Sequence, residues 1–278
     1  MADAKPVVDR ETIIKIVSEE TCWMIKQRMD KLKEAVYESM SVMPFLMPII
    51  FDLHGATTIQ ELGDLLVLGH LMVGHSTSFG KLLDEKVLPK VFKTEKFTGA
   101  YRKGHHPPFL DACFNEIDHL VNTPNGPVLL SLKASRWTIQ LTAAIELNNA
   151  FNIILKRYNP PYREIVVGVF AGKQASLTDK YDILRGINRG KKHDVIDVTE
   201  NVKVYAGKEF WTWLNGGEPA TQGWVLEGIL GGVKAADCRK EASELLKAFK
   251  EKFAASYAQY VKPDGTVDWQ QLLNAVNG

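Results

Sequence analysis

Phe114-Asn-Glu-Ile-Asp-His-Leu-Val-Asn-Thr-Pro-Asn-Gly-Pro-Val-Leu-Leu-Ser-Leu-Lys133 is the stretch on which the fold of this 278-residue chain turns. Two apolar runs flank Thr123-Pro-Asn-Gly-Pro127, and Asn-Gly between apolar runs is a strong short-range hairpin signal. Side chains alternate along a strand, so Glu116 and Asp118 share one face, and Ser131 and Lys133 share another. With a Pro124-Asn125 loop, Asp118 faces Ser131 and Glu116 faces Lys133. With an Asn125-Gly126 loop, Asp118 faces Lys133. Either register puts carboxylates and lysine on one face, whereas an odd-length loop without a bulge would separate them.

Before the hairpin, Glu11 to Met40 reads as a long amphipathic helix, with Ile13, Val17, Met24, Met29, Leu32 and Val36 at three- and four-residue spacings. Two prolines, Pro44 and Pro48, interrupt the apolar run from Ser41 to Phe51. Thr58 to Leu71 is helical, and Phe79 to Pro89 is a second short helix that Pro89 ends. Lys93 to Pro108, with Arg102, Lys103, His105 and His106, reads as a polar connection able to touch a phosphate backbone or simply to lie in solvent.

After the hairpin, Trp137 to Leu155 carries an apolar helical stripe. Glu164-Ile-Val-Val-Gly-Val-Phe170 is a β-branched run of the kind found in buried strands. Asp194 to Val198 and Val202 to Ala206 are expected as short strands, and Gly207 to Gly216 as a helical turn. From Thr221 to Gly278 the chain is helical again. The expectation is therefore a mixed α/β protein: a central mixed sheet flanked by helices, with helical N- and C-terminal additions. The expected regions are 1–74, a helical support or dimerisation region; 75–217, an α/β core; and 218–278, a helical region packed on it.

The composition, 45% hydrophobic and 24% charged, is ordinary for a globular protein. Three separated cysteines without a CxxC pair argue for reduced thiols, a cytoplasmic setting and no zinc knuckle. No signal-peptide core or membrane-length apolar run is present, so no membrane association is expected. His54, His70 and His75 stand isolated, as structural histidines do. The 34 Lys+Arg against 33 Asp+Glu give +1, which does not announce a nucleic-acid partner. Charge is instead uneven: between Lys173 and Lys192 six Lys/Arg stand against two Asp, and such asymmetry suits either an anionic partner or a solvated surface.

Carboxylates facing a lysine across a hairpin suit a divalent-metal phosphodiesterase centre. Mg²⁺ takes one or two carboxylates together with water and phosphate oxygens, and a neighbouring lysine orients or deprotonates water and offsets charge. Asp118 is then the first metal ligand and Lys133 the cation facing water or phosphate, with Glu85 a further carboxylate and the Leu132 carbonyl a further ligand. A surface hairpin with a cross-strand ion pair needs the same residue types.

Several stretches together resemble type II restriction endonucleases of the PD-(D/E)xK superfamily that cut RGGNCCY. They are Phe79 to Pro89, Asn115 to His119, Leu130 to Ala134 with Trp137 to Thr142, Leu177 to Tyr181 with Ile183 to Asn188, and Val204 to Trp211. The resemblance implies a homodimer on double-stranded DNA with one Mg²⁺-dependent site per subunit and no organic cofactor. It carries Asp118 onto the motif's Asp and Lys133 onto its Lys. Ser131 stands where the superfamily has an acid, and a serine hydroxyl is a poor Mg²⁺ ligand. The missing carboxylate is expected from Glu85 first and Glu116 second. Lys180, Arg185, Arg189, Lys191 and Lys192, with Arg102 and Lys103, form the pool for DNA contacts, since Arg and Lys read guanine in the major groove. Two other readings fit the same core: a structure-specific repair or recombination nuclease, and a DNA-binding protein whose catalytic centre has decayed.

Overall fold

The computed structural model describes residues 7–34, 43–105, 108–135 and 139–278. It has a five-stranded mixed sheet flanked by helices. The chain forms two compact units, Met1–Thr21 with Gly80–Gly232, and Cys22–Phe79 with Val233–Gly278. The sheet lies in the first.

Its strands are β1 (Glu95–Lys96), β2 (His119–Thr123), β3 (Gly126–Ser135), β4 (Glu164–Ala171) and β5 (Val202–Ala206), neighbours in chain order. β1, β2 and β3 pair antiparallel, and β3, β4 and β5 pair parallel. A two-residue turn can join antiparallel strands, but a parallel pair needs a crossover. The first crossover is α6 (Leu141–Arg157), whose predicted start at Trp137 lies outside the described residues. Period-two alternation divides β4 between two faces. Ile165, Val167 and Val169 join Leu147, Phe151 and Ile154 of α6 in the main core. On the opposite face, a side chain at Gly168 would collide with Phe210 of α8 (Lys208–Leu214), so close helix approach requires glycine there. Trp211 stacks on Phe170 and Trp213 on Tyr205.

The sequence expectations hold for β3, α6, β4, β5 and α8 within a few residues and miss in four places. Lys93 to Pro108 is not only a connection, since it contains β1 and α5 (Gly99–Gly104); a two-residue strand leaves no period to read. Asp194 to Val198 is not a strand. Its backbone is instead tied to Asn148 of α6, whose Oδ1 accepts the Ile196 N–H at 2.8 Å while its Nδ2 donates to Ile196 O at 2.8 Å and Leu184 O at 3.2 Å. The short helix of Phe79 to Pro89 is not separate. α3 (Ile59–Leu82) runs through a wide π-helical turn, Leu83–Val87, into α4 (Leu88–Phe92). Pro89 falls in the first turn of α4, where its missing N–H is tolerated, and the helix ends at Lys93 with φ 55°. Finally, Glu116 and Asp118 precede the hairpin's first strand, because Ala112–Glu116 is a 3₁₀ turn.

The first unit also takes in the start of α1 (Arg10–Lys33) and most of α9 (Thr221–Ala236). Glycines 228 and 232 leave room there for Val17 and Thr21. Helix α1 is described to Lys33, and its predicted extension through Val36 to Met40 lies outside the described residues. In the second unit, α2 (Met47–Leu53), α10 (Arg239–Tyr257) and α11 (Trp269–Asn277) gather with part of α3 around Met47, Leu62 and Leu272. No helix among the described residues is long and apolar enough to cross a membrane.

Candidate metal centre at the open end of the hairpin

The turn fixes the register. Thr123 pairs with Gly126 and His119 with Leu130, so the loop is Pro124-Asn125, one of the two registers compatible with the sequence. A regular ladder would continue with Asp118 opposite Ser131 and Glu116 opposite Lys133, but pairing stops at His119; the Lys133 Nζ still stands 3.9 Å from Glu116 Oε2.

The ladder does not continue regularly past His119. The Asp118 N–H donates to Leu130 O at 2.9 Å, on the β3 side, while the Asp118 carbonyl accepts from the Phe97 N–H at 2.8 Å, on the β1 side. A regular strand residue sends both groups to one neighbour. With Asp118 and His119 both set against Leu130, this is a β-bulge, a device that ends pairing and re-aims a side chain. Leu130 and Leu132 are two apart and turn their main-chain groups to the same edge. β2 has stopped where Leu132 arrives, and the Asp118 carboxylate takes the strand's place: its Oδ2 accepts the Leu132 N–H at 2.6 Å. The Leu132 carbonyl lies on that same open edge, and Lys133 follows.

Burial raises the Asp118 carboxyl above its usual range, and the nearby charge of Asp84 adds to the rise. The Leu132 N–H, Lys133 and His119 oppose it. Asp84 comes from the π turn. Burial pushes its carboxyl up as well, but hydrogen bonds from His119 and Lys96 outweigh this and hold it below the ordinary value. His119 Nε2 lies 2.7 Å from Asp84 Oδ1, the other ring nitrogen lies 2.9 Å from Thr94 Oγ1, and Lys96 Nζ bonds Asp84 Oδ2. π turns interrupt α-helices frequently at functional sites. Asp84 was not among the residues expected from sequence. The available signal was only its place beside Glu85, and which of two adjacent acids turns inward depends on the width of that turn.

The other expected residues fall as follows. Glu85 keeps 45% of its side chain exposed and stands 3.6 Å from Lys96 Nζ. Glu116 is exposed to the same extent. Ser131 is fully buried and its Oγ has no hydrogen-bond partner, so the hydroxyl has no open path to solvent. Among the described residues, no three His, Cys, Asp or Glu side chains gather to enclose a cation unaided. A hard cation that keeps water and phosphate in its shell asks for less. Asp118, the Leu132 carbonyl and a further carboxylate are oxygen donors of the type Mg²⁺ takes. Asp84's charge adds to the rise of the Asp118 carboxyl, which a cation between them would relieve, so the residues present fit the ion.

The basic residues divide. Arg102 is committed to the scaffold. Its Nε donates to Phe97 O at 3.3 Å, its Nη1 to Phe109 O at 3.1 Å and Phe114 O at 2.9 Å, and its Nη2 to Ile117 O at 2.8 Å. A guanidinium so engaged has one N–H to spare, so Arg102 serves first to brace the backbone beneath the site. Arg185 donates through Nε to Val202 O at 3.2 Å, Lys180 pairs with Asp179 at 2.6 Å and Arg189 with Asp182 at 2.6 Å. Lys103, Lys191 and Lys192 are exposed. His106 lies outside the described residues.

The chain matches no family model and none of the curated proteins with which it was compared.

Proposed function

We propose that this chain is a Mg²⁺-dependent endonuclease of the PD-(D/E)xK type that cuts double-stranded DNA at an interrupted palindromic site of the GG-N-CC kind, as a homodimer with one site per subunit. The observation that carries the reading is the open end of the hairpin. There a half-buried carboxylate stands in for the missing strand, beside a main-chain carbonyl and followed by a lysine. The surrounding order supports it: an acid-bearing helix, an antiparallel hairpin, a long crossover helix and a parallel buried strand. The stretches of sequence that resemble RGGNCCY-cutting enzymes supply the specificity part. A two-fold dimer suits a two-fold site because each subunit then reads one half.

Asp118, with the Leu132 carbonyl, would hold the ion. When bound, the ion lowers the pKa of a water and offsets charge developing on the phosphorus. The chain's own contribution is positional. The Leu132 N–H fixes the Asp118 carboxylate along the strand edge. Lys133, 19% exposed, keeps its amine at the same edge, where it orients the attacking water or accepts its proton and neutralises the phosphate. The exposed Lys191 and Lys192 lie in a segment that Asn148 pins to α6, which suits a phosphate-tracking arm.

Incubation with a sequenced plasmid and Mg²⁺, followed by mapping of the ends, tests the reading. Discrete cuts at one palindromic sequence are expected. Nicks without a defined sequence would replace it with a structure-specific nuclease. Tight, salt-dependent binding to DNA that stays intact would mean a decayed centre, the reading that the sealed Ser131 favours.

A further inference from the structure

We propose that Asp84 is the second carboxylate of this centre and that buried His119 is the positioning residue that aims it. The inference rests on the nuclease reading above and names the acid missing at Ser131.

Three acids compete for the role, and their surroundings differ. Glu85 and Glu116 each keep 45% of the side chain exposed, and each stands more than 3.5 Å from a single lysine amine, Glu85 at 3.6 Å and Glu116 at 3.9 Å. Neither is fixed. Asp84 is held at both oxygens, by His119 on one and Lys96 on the other. Behind it His119 is 0% exposed and Thr94 4% exposed, so the chain Thr94–His119–Asp84 runs from the interior outward to a carboxylate that is 28% exposed. With Asp84 ionised, its oxygens only accept, so Nε2 carries the hydrogen toward it, while the other ring nitrogen is held by the Thr94 hydroxyl. A ring tied at both nitrogens cannot rotate, and a carboxylate bonded to it is held in one orientation.

The bulge links this arrangement to Asp118. His119 follows Asp118 in the chain, and both residues are set against Leu130, so the irregularity that aims Asp118 also places the ring that aims Asp84. Because the His119 ring that holds Asp84 at 2.7 Å belongs to the residue directly after Asp118, Asp84 is carried to the same end of the hairpin. The network ends in a partly exposed carboxylate beside half-buried Asp118. A network that holds ligands would be built this way, because partners that orient a ligand typically change metal affinity by about 10–100-fold.

The test is direct titration of the full-length protein with Mn²⁺ alone, reading free Mn²⁺ by electron paramagnetic resonance, with thermal unfolding recorded for each variant. Asp118→Asn and Asp84→Asn should each weaken Mn²⁺ binding on the order of 10–100-fold, and Glu85→Gln should bind as the parent does. His119→Asn retains an amide near Nδ1 but loses the bond to Asp84, so it should weaken binding. His119→Gln, whose amide reaches the Nε2 position, should restore most of it. Loss in Asp118→Asn with parental binding in Asp84→Asn overturns this inference and leaves the nuclease reading standing. Parental binding in both, or no binding by the parent protein, removes the metal centre and this inference with it. Equal behaviour of the two His119 variants reduces His119 to a packing residue. The near-isosteric Asp84→Asn keeps the carboxylate question answerable even if a His119 variant fails to fold.

Discussion

At its turn the β2–β3 hairpin is regular, and at its other end it is not. Near the turn Val121 faces Val128 and Thr123 faces Gly126, with the Thr123 hydroxyl closing on Gly126 O at 2.8 Å. At the open end Asp118 sends its N–H to one neighbour and its carbonyl to the other, and a carboxylate replaces the strand. The same ladder thus yields a staple at one end and a cluster of unlike charges at the other. The difference teaches that main-chain groups and charged side chains remain available to a ligand only where pairing stops, which is the end where the metal centre is proposed. An open end that is functional and a turn end that is structural should respond differently to substitution.

The largest expected effect is on cleavage. Asp118→Ala and Lys133→Ala should each reduce it on the order of 10²–10⁴-fold while duplex binding persists, measured by single-turnover cutting and by gel shift. Parental rates in either would dissolve the distinction between the two ends. Next is the support beneath the open end. Arg102→Ala leaves the carbonyls of Phe97, Phe109, Phe114 and Ile117 without their donor and should cost about 3 kcal/mol in chemical denaturation, whereas exposed Lys103→Ala should stay within about 0.5 kcal/mol. Equal effects would mean that Arg102 is not the scaffold residue its contacts describe.

A smaller effect is expected away from the hairpin. Replacing Lys191 and Lys192 together by Gln should lower the dependence of log K on log salt by roughly 2, with the cleavage rate at saturating protein unchanged. An unaltered slope would take that segment out of the interface. The smallest effect belongs to the turn. Gly126 has φ +116° with open space where a side chain would sit, so Gly126→Ala should cost only backbone strain, about 1–2 kcal/mol. Activity per folded molecule should not change, and a cleavage defect at constant stability would show that the turn end takes part in function.

The legible part of the fold was the part with a period. The helical stripe of α6 and the apolar run of β4 announce their elements because many residues repeat the same signal. β1 has two residues and repeats nothing. The continuous run from α3 to α4 reads as two helices, Thr58 to Leu71 and Phe79 to Pro89, the second ended at Pro89 because a proline usually ends a helix, and the π turn leaves no mark in a 3.6-residue pattern. The open end was legible as a pair of candidate residues, Asp118 and Lys133, but their geometry depends on a bulge that hydrophobic alternation does not encode.

By itself the sequence determined the mixed α/β class, the hairpin with its two admissible registers, and the acid–lysine pair near its open end, because alternation and turn chemistry are local properties of consecutive residues. Tertiary structure alone decided which register holds, that Asp84 turns inward while Glu85 stays out, that Ser131 is sealed, and that Arg102 braces the backbone. Each of these depends on which groups from distant parts of the chain arrive at one place, and on whether water remains there once they have.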